Sequence, residues 1–238
     1  MKNTVIIIPT YNEEENIFRL VKLIKKLYKN ILIIVVDDSN KPETKKILIG
    51  IKKTIFIQRK NKIGRGSAVL EGLRIANKIN NIKCFIEMDA DFSHDPKEIK
   101  NNIELFKKKK LDLLISSRYL KKSKIHNWSL SRIIFSKSAN FLAKKLLKIP
   151  VTDYTNGFRI YSKRSVNLII KKCGKIGDGF IILSEILLYI YLKNYKIHDT
   201  STIFKNRFRG DSSINISLIL KSLLGLLKLV MIKKKILK

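Results

Sequence analysis

Residues 1–120 alternate short apolar runs with longer amphipathic ones. The runs at 4–8, 31–36, 54–57, 84–88 and 111–116 are rich in Ile and Val and read as strands buried on both faces. Between them, 13–28, 43–51, 67–80 and 96–109 read as helices. Pro96 suits the first turn of the last of these, with Asp95 before it as an N-cap. Strand and helix in alternation predict an α/β fold, a mostly parallel, Rossmann-like sheet with helices on both faces. In such sheets ligands bind beyond the carboxyl ends of the strands.

The second half is less regular. A helix at 130–147 leads into a turn-rich stretch at 150–157, then a strand at 158–161, helices at 165–172 and 181–193, and a strand around 197–204. No repeat or Pro/Ser-rich linker intervenes, so one domain is expected at 1–212 with an extension at 213–238. The extension is strongly apolar from 214 to 232 but interrupted by Lys221 and Lys228. On a helix, Ser217, Lys221, Gly225 and Lys228 would form a narrow polar stripe. A lysine at the centre of a spanning helix costs roughly 2.5–3.5 kcal/mol. A C-terminal amphipathic helix at a membrane surface is therefore expected, with Lys233, Lys234 and Lys235 near anionic headgroups. The alternatives are a helix packed on the domain and an integral-membrane partner subunit that supplies the anchor.

Composition adds two exclusions and one question. Of 238 residues 45% are hydrophobic, which excludes a disordered basic tail. Cys84 and Cys173 form no C-x-x-C pair and read as free thiols in a reducing compartment. The N-terminal apolar run stops at Pro9, too short for a secretory signal, so a cytoplasmic location is expected. The question is the charge: 50 Lys+Arg against 19 Asp+Glu give a net +31. Such an excess suits nucleic acid, an anionic membrane face or a phosphorylated substrate. A chain this rich in Lys, Ile and Asn also carries it as compositional background.

The candidate chemistry lies at the strand ends. Strand one runs into Pro9-Thr10-Tyr11-Asn12-Glu13, strand two into Asp37-Asp38-Ser39, strand four into Asp89-Ala90-Asp91, and strand five into Ser117-Arg118-Tyr119. Two carboxylates one residue apart can share Mg²⁺ or Mn²⁺, which complete their shells with phosphate oxygens. Solvated loop aspartates are the plainer reading of that pair. His94 is a further ligand candidate, though a histidine beside a helix start is more often structural. Asp37 and Asp38 suit a ribose or base, or a helix N-cap. Gly64 and Gly66, before the third helix, would let backbone approach a ligand closely, but the full dinucleotide fingerprint is missing.

Ile8-Pro9-Thr10-Tyr11-Asn12-Glu13-Glu14, the Asp37-Asp38 pair and Asp89-x-Asp91 resemble the inverting glycosyltransferases of family 2, which have the GT-A fold. The string Met88–Pro96 is most similar to the dolichyl-phosphate (polyprenyl-phosphate) mannosyltransferases. The similarity continues through Ser117-Arg118-Tyr119, Trp128-x-x-x-Arg132-x-x-x-Ser136-x-x-x-Asn140, Asp153-x-Thr155-x-Gly157-Phe158-Arg159-x-Tyr161 and Arg207-x-x-Gly210-x-Ser212. It implies transfer of mannose from GDP-mannose to a dolichyl or polyprenyl phosphate, assisted by Mg²⁺ or Mn²⁺, at the cytosolic face of a membrane. Carried over by residue, Pro9, Tyr11, Glu13, Val36 and Asp38 would hold the guanosine. Asp89, Ala90 and Asp91 would hold the diphosphate, both aspartates on the metal, and Arg118, Arg207 and Ser213 would complete the donor contacts. Arg132 and Ser136, one helical turn apart, would face the acceptor phosphate.

Three positions depart from the family pattern. Ser39 and Asn40 replace the usual Gly-Ser, Ser213 stands where Lys is common, and Gly179–Glu185 lacks an expected glutamine. Lys205 or Lys221 would compensate for the missing lysine. These departures leave UDP-glucose, or a soluble acceptor, as alternatives. A nucleic-acid-binding module is the non-enzyme alternative, but no reading motif accompanies the charge, and acidic strand ends would repel phosphates unless a metal sits there. No nucleic-acid partner is expected.

Overall fold

The structure, a computed structural model, describes residues 1–39, 43–206 and 216–237. Strands β1 (Thr4–Thr10), β2 (Leu32–Asp37), β3 (Thr54–Gln58) and β4 (Cys84–Glu87) alternate with helices α1 (Glu14–Leu27), α2 (Glu43–Leu48) and α3 (Arg65–Lys78). Then come α4 (Glu98–Lys108), β5 (Leu113–Ser117), β6 (Lys124–His126), α5 (Leu130–Leu147), β7 (Arg159–Ser162), α6 (Lys163–Lys172), α7 (Ile181–Leu192), β8 (Ile197–Ser201), β9 (Ile203–Lys205) and α8 (Ile216–Leu237).

Seven strands form one sheet in the order β3-β2-β1-β4-β7-β5-β8. All its pairs are parallel except those of β7, which runs antiparallel to β4 and β5. Successive side chains of a strand point to opposite faces, so Val5 and Ile7 enter one core with α3, α6 and α7. Ile6 and Ile8 enter the other, beneath α1 and α4. On α1, Ile17, Leu20, Val21 and Ile24 recur at the spacing that places them on the sheet-facing side.

Two features were not legible as periodicity. The strand expected around 197–204 divides at Thr202, and its second part pairs with β6 as a parallel two-stranded ribbon. The reversal of β7 is the other. Its first residue, Arg159, lies opposite Glu87, so the segment just before it is delivered to the carboxyl end of β4. Asp95 does not cap the helix directly. Its carboxylate accepts from Lys97 N at 2.9 Å in the turn that precedes α4.

Helix α8 packs against α5 and α7 through a seam containing Leu226 and Leu229. Gly225 belongs to this seam: a Cβ there would lie 2.6 Å from Ile181 Cγ1. The expected polar stripe is thus divided, Gly225 buried inward and Lys221 and Lys228 exposed beside it. Lys233 also departs from expectation. Its Nζ donates to Leu147 O at 2.5 Å, at the carbonyl end of α5 where a cation is favoured. Lys234 and Lys235 remain exposed. Among the described residues, no helix is long and apolar enough to cross a membrane.

Candidate functional site

β4 ends on Glu87, a fully buried carboxylate in an apolar strand. A charge in that position requires a partner, and Arg65 at the start of α3 supplies it, Nη1 donating to Glu87 Oε1 at 2.7 Å. The same guanidinium donates Nε and Nη2 to Asp89 Oδ1 at 2.9 and 2.7 Å. Tyr161 OH donates to the other oxygen of Glu87 at 2.6 Å. Burial works against the charge on Arg65, but Asp89 and Glu87 outweigh it and push its pKa above the ordinary arginine value. Gly157 makes room for this arrangement: a Cβ there would lie 1.9 Å from Arg65 Nη2.

His94 is fully buried. Its Nδ1 accepts from Asp89 N at 3.1 Å, which places the ring proton on Nε2, 2.9 Å from Asn156 Oδ1. The ring stacks on Phe158 with centroids 5.1 Å apart. Both nitrogens are committed, so His94 fixes the backbone of Asp89. Asp91 Oδ1 accepts from Ser93 N at 3.0 Å and so shapes the turn that carries it. Among the described residues no group of three or more His, Cys, Asp and Glu side chains could hold a metal ion. The chain offers two carboxylates, Asp89 and Asp91, a donor set that fits Mg²⁺ or Mn²⁺ when diphosphate oxygens and water fill the remaining positions.

Both aspartates line a cavity of about 440 Å³. Arg118 reaches it from the end of β5, buried and held by Asp153: Nε to Oδ2 at 2.8 Å and Nη2 to Oδ1 at 2.9 Å. Nη2 also donates to Thr155 Oγ1 at 2.6 Å. Against the cost of burial, Arg118 holds the Asp153 carboxyl below the usual range. Arg132 and Ser136 of α5 line the same cavity. Arg132 lies over Trp128 at 4.2 Å and donates to Asn206 Oδ1 at 2.8 Å, and Ser136 Oγ is 2.6 Å from Tyr119 OH. Much of the remaining wall is apolar, including Phe135 and Leu142 of α5, Ile181 of α7, and Leu223 and Leu226 of α8, with Ser138, Ser184 and Ser222 among its polar members. Acidic, cationic and apolar side chains therefore share one space.

The residues expected to hold a nucleoside lie at the ends of β1 and β2. Pro9 and Val36 are register partners, and the Val36 side chain points into the core, so only its backbone is presented. Tyr11 is exposed, with Lys62 Nζ 3.8 Å above its ring, and Glu13 Oε2 accepts from Asn16 Nδ2 at 2.5 Å. Ala90 is buried between the two site aspartates. Asp38 is already engaged: Arg59 Nε donates to one oxygen, and the amides of Ile63 and Gly64 donate to the other at 3.3 and 2.9 Å. Asp37 is turned inward and takes Ser39, its carboxyl raised by burial against the pull of Ser39.

The glycine loop differs from expectation. Gly66 N donates to Asp178 O at 2.7 Å, and a Cβ on Gly64 would stand 2.8 Å from that same oxygen. The close approach expected of these glycines is made to the chain's own backbone. Arg207 and Ser213 lie outside the described residues. Sequence reasoning missed the roles of Arg65, Glu87 and Asp153. The available signal was Glu87 itself, a lone charge in an apolar strand that demands a cation. Arg159, buried in the Asp153–Tyr161 string, ties down the carbonyls of Asn156, Tyr154 and Leu183 at 2.9, 2.9 and 2.7 Å.

A family model described as glycosyl transferase family 2 matches residues 5–169. The polyprenol monophosphomannose synthase of Mycolicibacterium smegmatis is 32% identical over 173 residues, 71% of this chain and 64% of that one. The dolichol-phosphate mannosyltransferase of Pyrococcus furiosus is 35% identical over 216 residues, 88% of this chain and 58% of that one. The chain thus spans less than two thirds of the length of either relative. Among solved structures, glucosyl-3-phosphoglycerate synthase from Mycobacterium tuberculosis, in complex with Mn²⁺, UDP and glucosyl-3-phosphoglycerate, superposes with a TM-score of 0.68 at 16% identity. That match covers 97% of this chain and 80% of the other, and it establishes a mixed α/β GT-A fold.

Proposed function

This chain belongs to glycosyl transferase family 2, and we propose that it transfers mannose from GDP-mannose to a polyprenyl or dolichyl phosphate with inversion at the sugar carbon. The single observation that carries the acceptor assignment is the composite cavity. Asp89, Asp91 and Arg118 line it together with Arg132 and Ser136 of α5, and apolar side chains of α5, α7 and α8 make up much of the remainder. Such a space suits a ligand with a charged head and a hydrocarbon tail. The names of the two curated relatives point to the same lipid product class.

In this reading the donor lies across the carboxyl ends of β2, β1 and β4. Pro9, Tyr11, Glu13, Val36 and Asp38 flank the guanosine, with Asp38 acting mainly by fixing the 63–64 backbone. Asp89 and Asp91 would hold a divalent cation, which supplies Lewis-acid neutralisation of the leaving diphosphate. Arg118 sits beside that diphosphate as a fixed, always charged guanidinium, with Arg207 and Ser213 as further donor contacts. Arg132 and Ser136 orient the acceptor phosphate. One of its oxygens attacks the sugar carbon as the bond to the GDP oxygen breaks, so the negative charge moves from acceptor to GDP. A phosphate monoester is already ionised near neutral pH, its second pKa being about 6, so the nucleophile needs no general base.

The decisive experiment offers GDP-mannose, UDP-glucose and other radiolabelled nucleotide sugars with polyprenyl phosphate and Mg²⁺, and follows label into the organic phase. Label from GDP-mannose is expected; labelled lipid from no donor would end the acceptor assignment, and label from UDP-glucose alone would change the donor. Arg132→Ala is expected to raise KM for the lipid phosphate about tenfold or more, the worth of one charge-assisted hydrogen bond. KM for GDP-mannose should be unchanged in steady-state assays.

A membrane surface completes the proposal. Leu130, Ile134, Phe135 and Phe141 of α5, with Leu220, Leu224, Leu227 and Met231 of α8, are exposed. These two helices also wall the cavity, so a lipid tail would leave it directly into a bilayer on which they rest. Leu224 and Leu227, both changed to Ser, should weaken flotation with phospholipid vesicles by about tenfold per leucine if each is fully withdrawn from water. A cytosolic membrane face and a partner subunit belong to the same proposal.

A further inference from the structure

Arg65 places a cation where the acidic pair would otherwise stand ready for a metal ion. Its guanidinium gives two hydrogen bonds to one Asp89 oxygen and a third to buried Glu87. The arrangement is built in rather than a chance surface contact. Glu87 is anchored by Tyr161 at 2.6 Å, and the absence of a side chain at Gly157 leaves the space that Arg65 Nη2 fills. The backbone on either side of Arg65 is fixed too, through Gly64 N to Asp38 and Gly66 N to Asp178 O at 2.7 Å.

We propose that Arg65 is a positioning residue that acts as a resident counter-cation for Asp89. It fixes the carboxylate and lowers the site's affinity for a free divalent ion, so that the ion enters together with the donor diphosphate. The inference rests on the metal-dependent reading given above. Two cations close to one carboxylate repel each other at low effective dielectric. A diphosphate reverses the balance, because its oxygens bring negative charge and the ligands that two aspartates lack.

The test is Mn²⁺ binding by the full-length protein, read from the electron paramagnetic resonance signal of the free ion, with and without GDP-mannose. Without nucleotide the wild type should bind Mn²⁺ weakly. Arg65→Gln should bind it about tenfold tighter or more, since a unit charge in contact with the Asp89 carboxylate has been removed. Arg65→Lys, which keeps the charge, should return the affinity toward the wild-type value, an effect that loss of packing alone would not produce. A Glu87→Gln/Arg65→Gln double variant leaves no lone buried charge and guards against misfolding. It should still bind Mn²⁺ more tightly than wild type, by a smaller factor. Unchanged or weaker binding in these folded variants, while the wild type takes up Mn²⁺ with GDP-mannose, overturns the role of Arg65 and leaves the proposed activity standing. No Mn²⁺ uptake by any form, with or without nucleotide, removes the metal-dependent reading itself.

Discussion

Asp91→Asn is expected to lower turnover by about 100–1,000-fold while leaving the melting temperature nearly unchanged, the scale of loss seen when one preorganised stabiliser of developing charge is removed. Asparagine is the informative choice because its side-chain oxygen can still accept from Ser93 N, the bond that Asp91 Oδ1 makes at 3.0 Å. The turn from Asp89 to Asp95 is therefore kept, and only the charge is lost. An effect confined to KM for the donor would mean that Asp91 binds substrate without favouring the transition state. Undiminished turnover would exclude Asp91 as a metal ligand. The corresponding change at Asp89 is less clean, since Asp89 also neutralises Arg65.

The difference between these two aspartates explains how much of the site was legible in the sequence. Strand ends, and the polar residues that follow them, are local features, and the parallel order of β1, β2 and β4 brings three of them together. Asp89, Asp91 and the Tyr11 segment could be placed from alternation alone. Arg118 could be placed at a strand end but not paired. Its partner Asp153 is 35 residues away and arrives only because β7 runs against the rest of the sheet. Periodicity carries no strand direction, so that reversal was invisible. The same limit hid Arg65, whose contacts at Glu87 and Asp89 span 22 and 24 residues. It also hid the division of labour along α8, where Gly225, placed in a polar stripe by spacing, fits against Ile181 because it has no side chain. The +31 charge is clarified as well. Lys233 caps α5 and Arg59 serves Asp38, so some of the excess maintains structure.

Asp153→Ala is expected to destabilise the protein by about 3–5 kcal/mol, because it strands Arg118 as an uncompensated buried charge. For a chain of this size that corresponds to roughly 6–20 °C in melting temperature. The loss should depend on pH in a defined direction. Arg118 holds the Asp153 carboxyl below its usual value despite burial, so its contribution is complete above the unfolded pKa of about 3.9. It fades as pH falls through the lower, folded value. Wild-type stability should thus decline on the acid side of about pH 4, and Asp153→Ala should lack that part of the slope. Asp112, lowered against burial chiefly by Arg164, titrates in the same window, so the difference between the two proteins isolates Asp153. A paired replacement separates scaffold from chemistry. Arg118→Met combined with Asp153→Leu removes both charges and should recover only the part of the loss due to the stranded arginine, because the amides of Arg118, Thr155 and Asn156 still lose the carboxylate they donate to. It should restore no turnover, because Arg118 lines the cavity beside Asp89 and Asp91. A stable double variant that still transferred mannose would show Arg118 to be scaffold alone, its charge spent on Asp153.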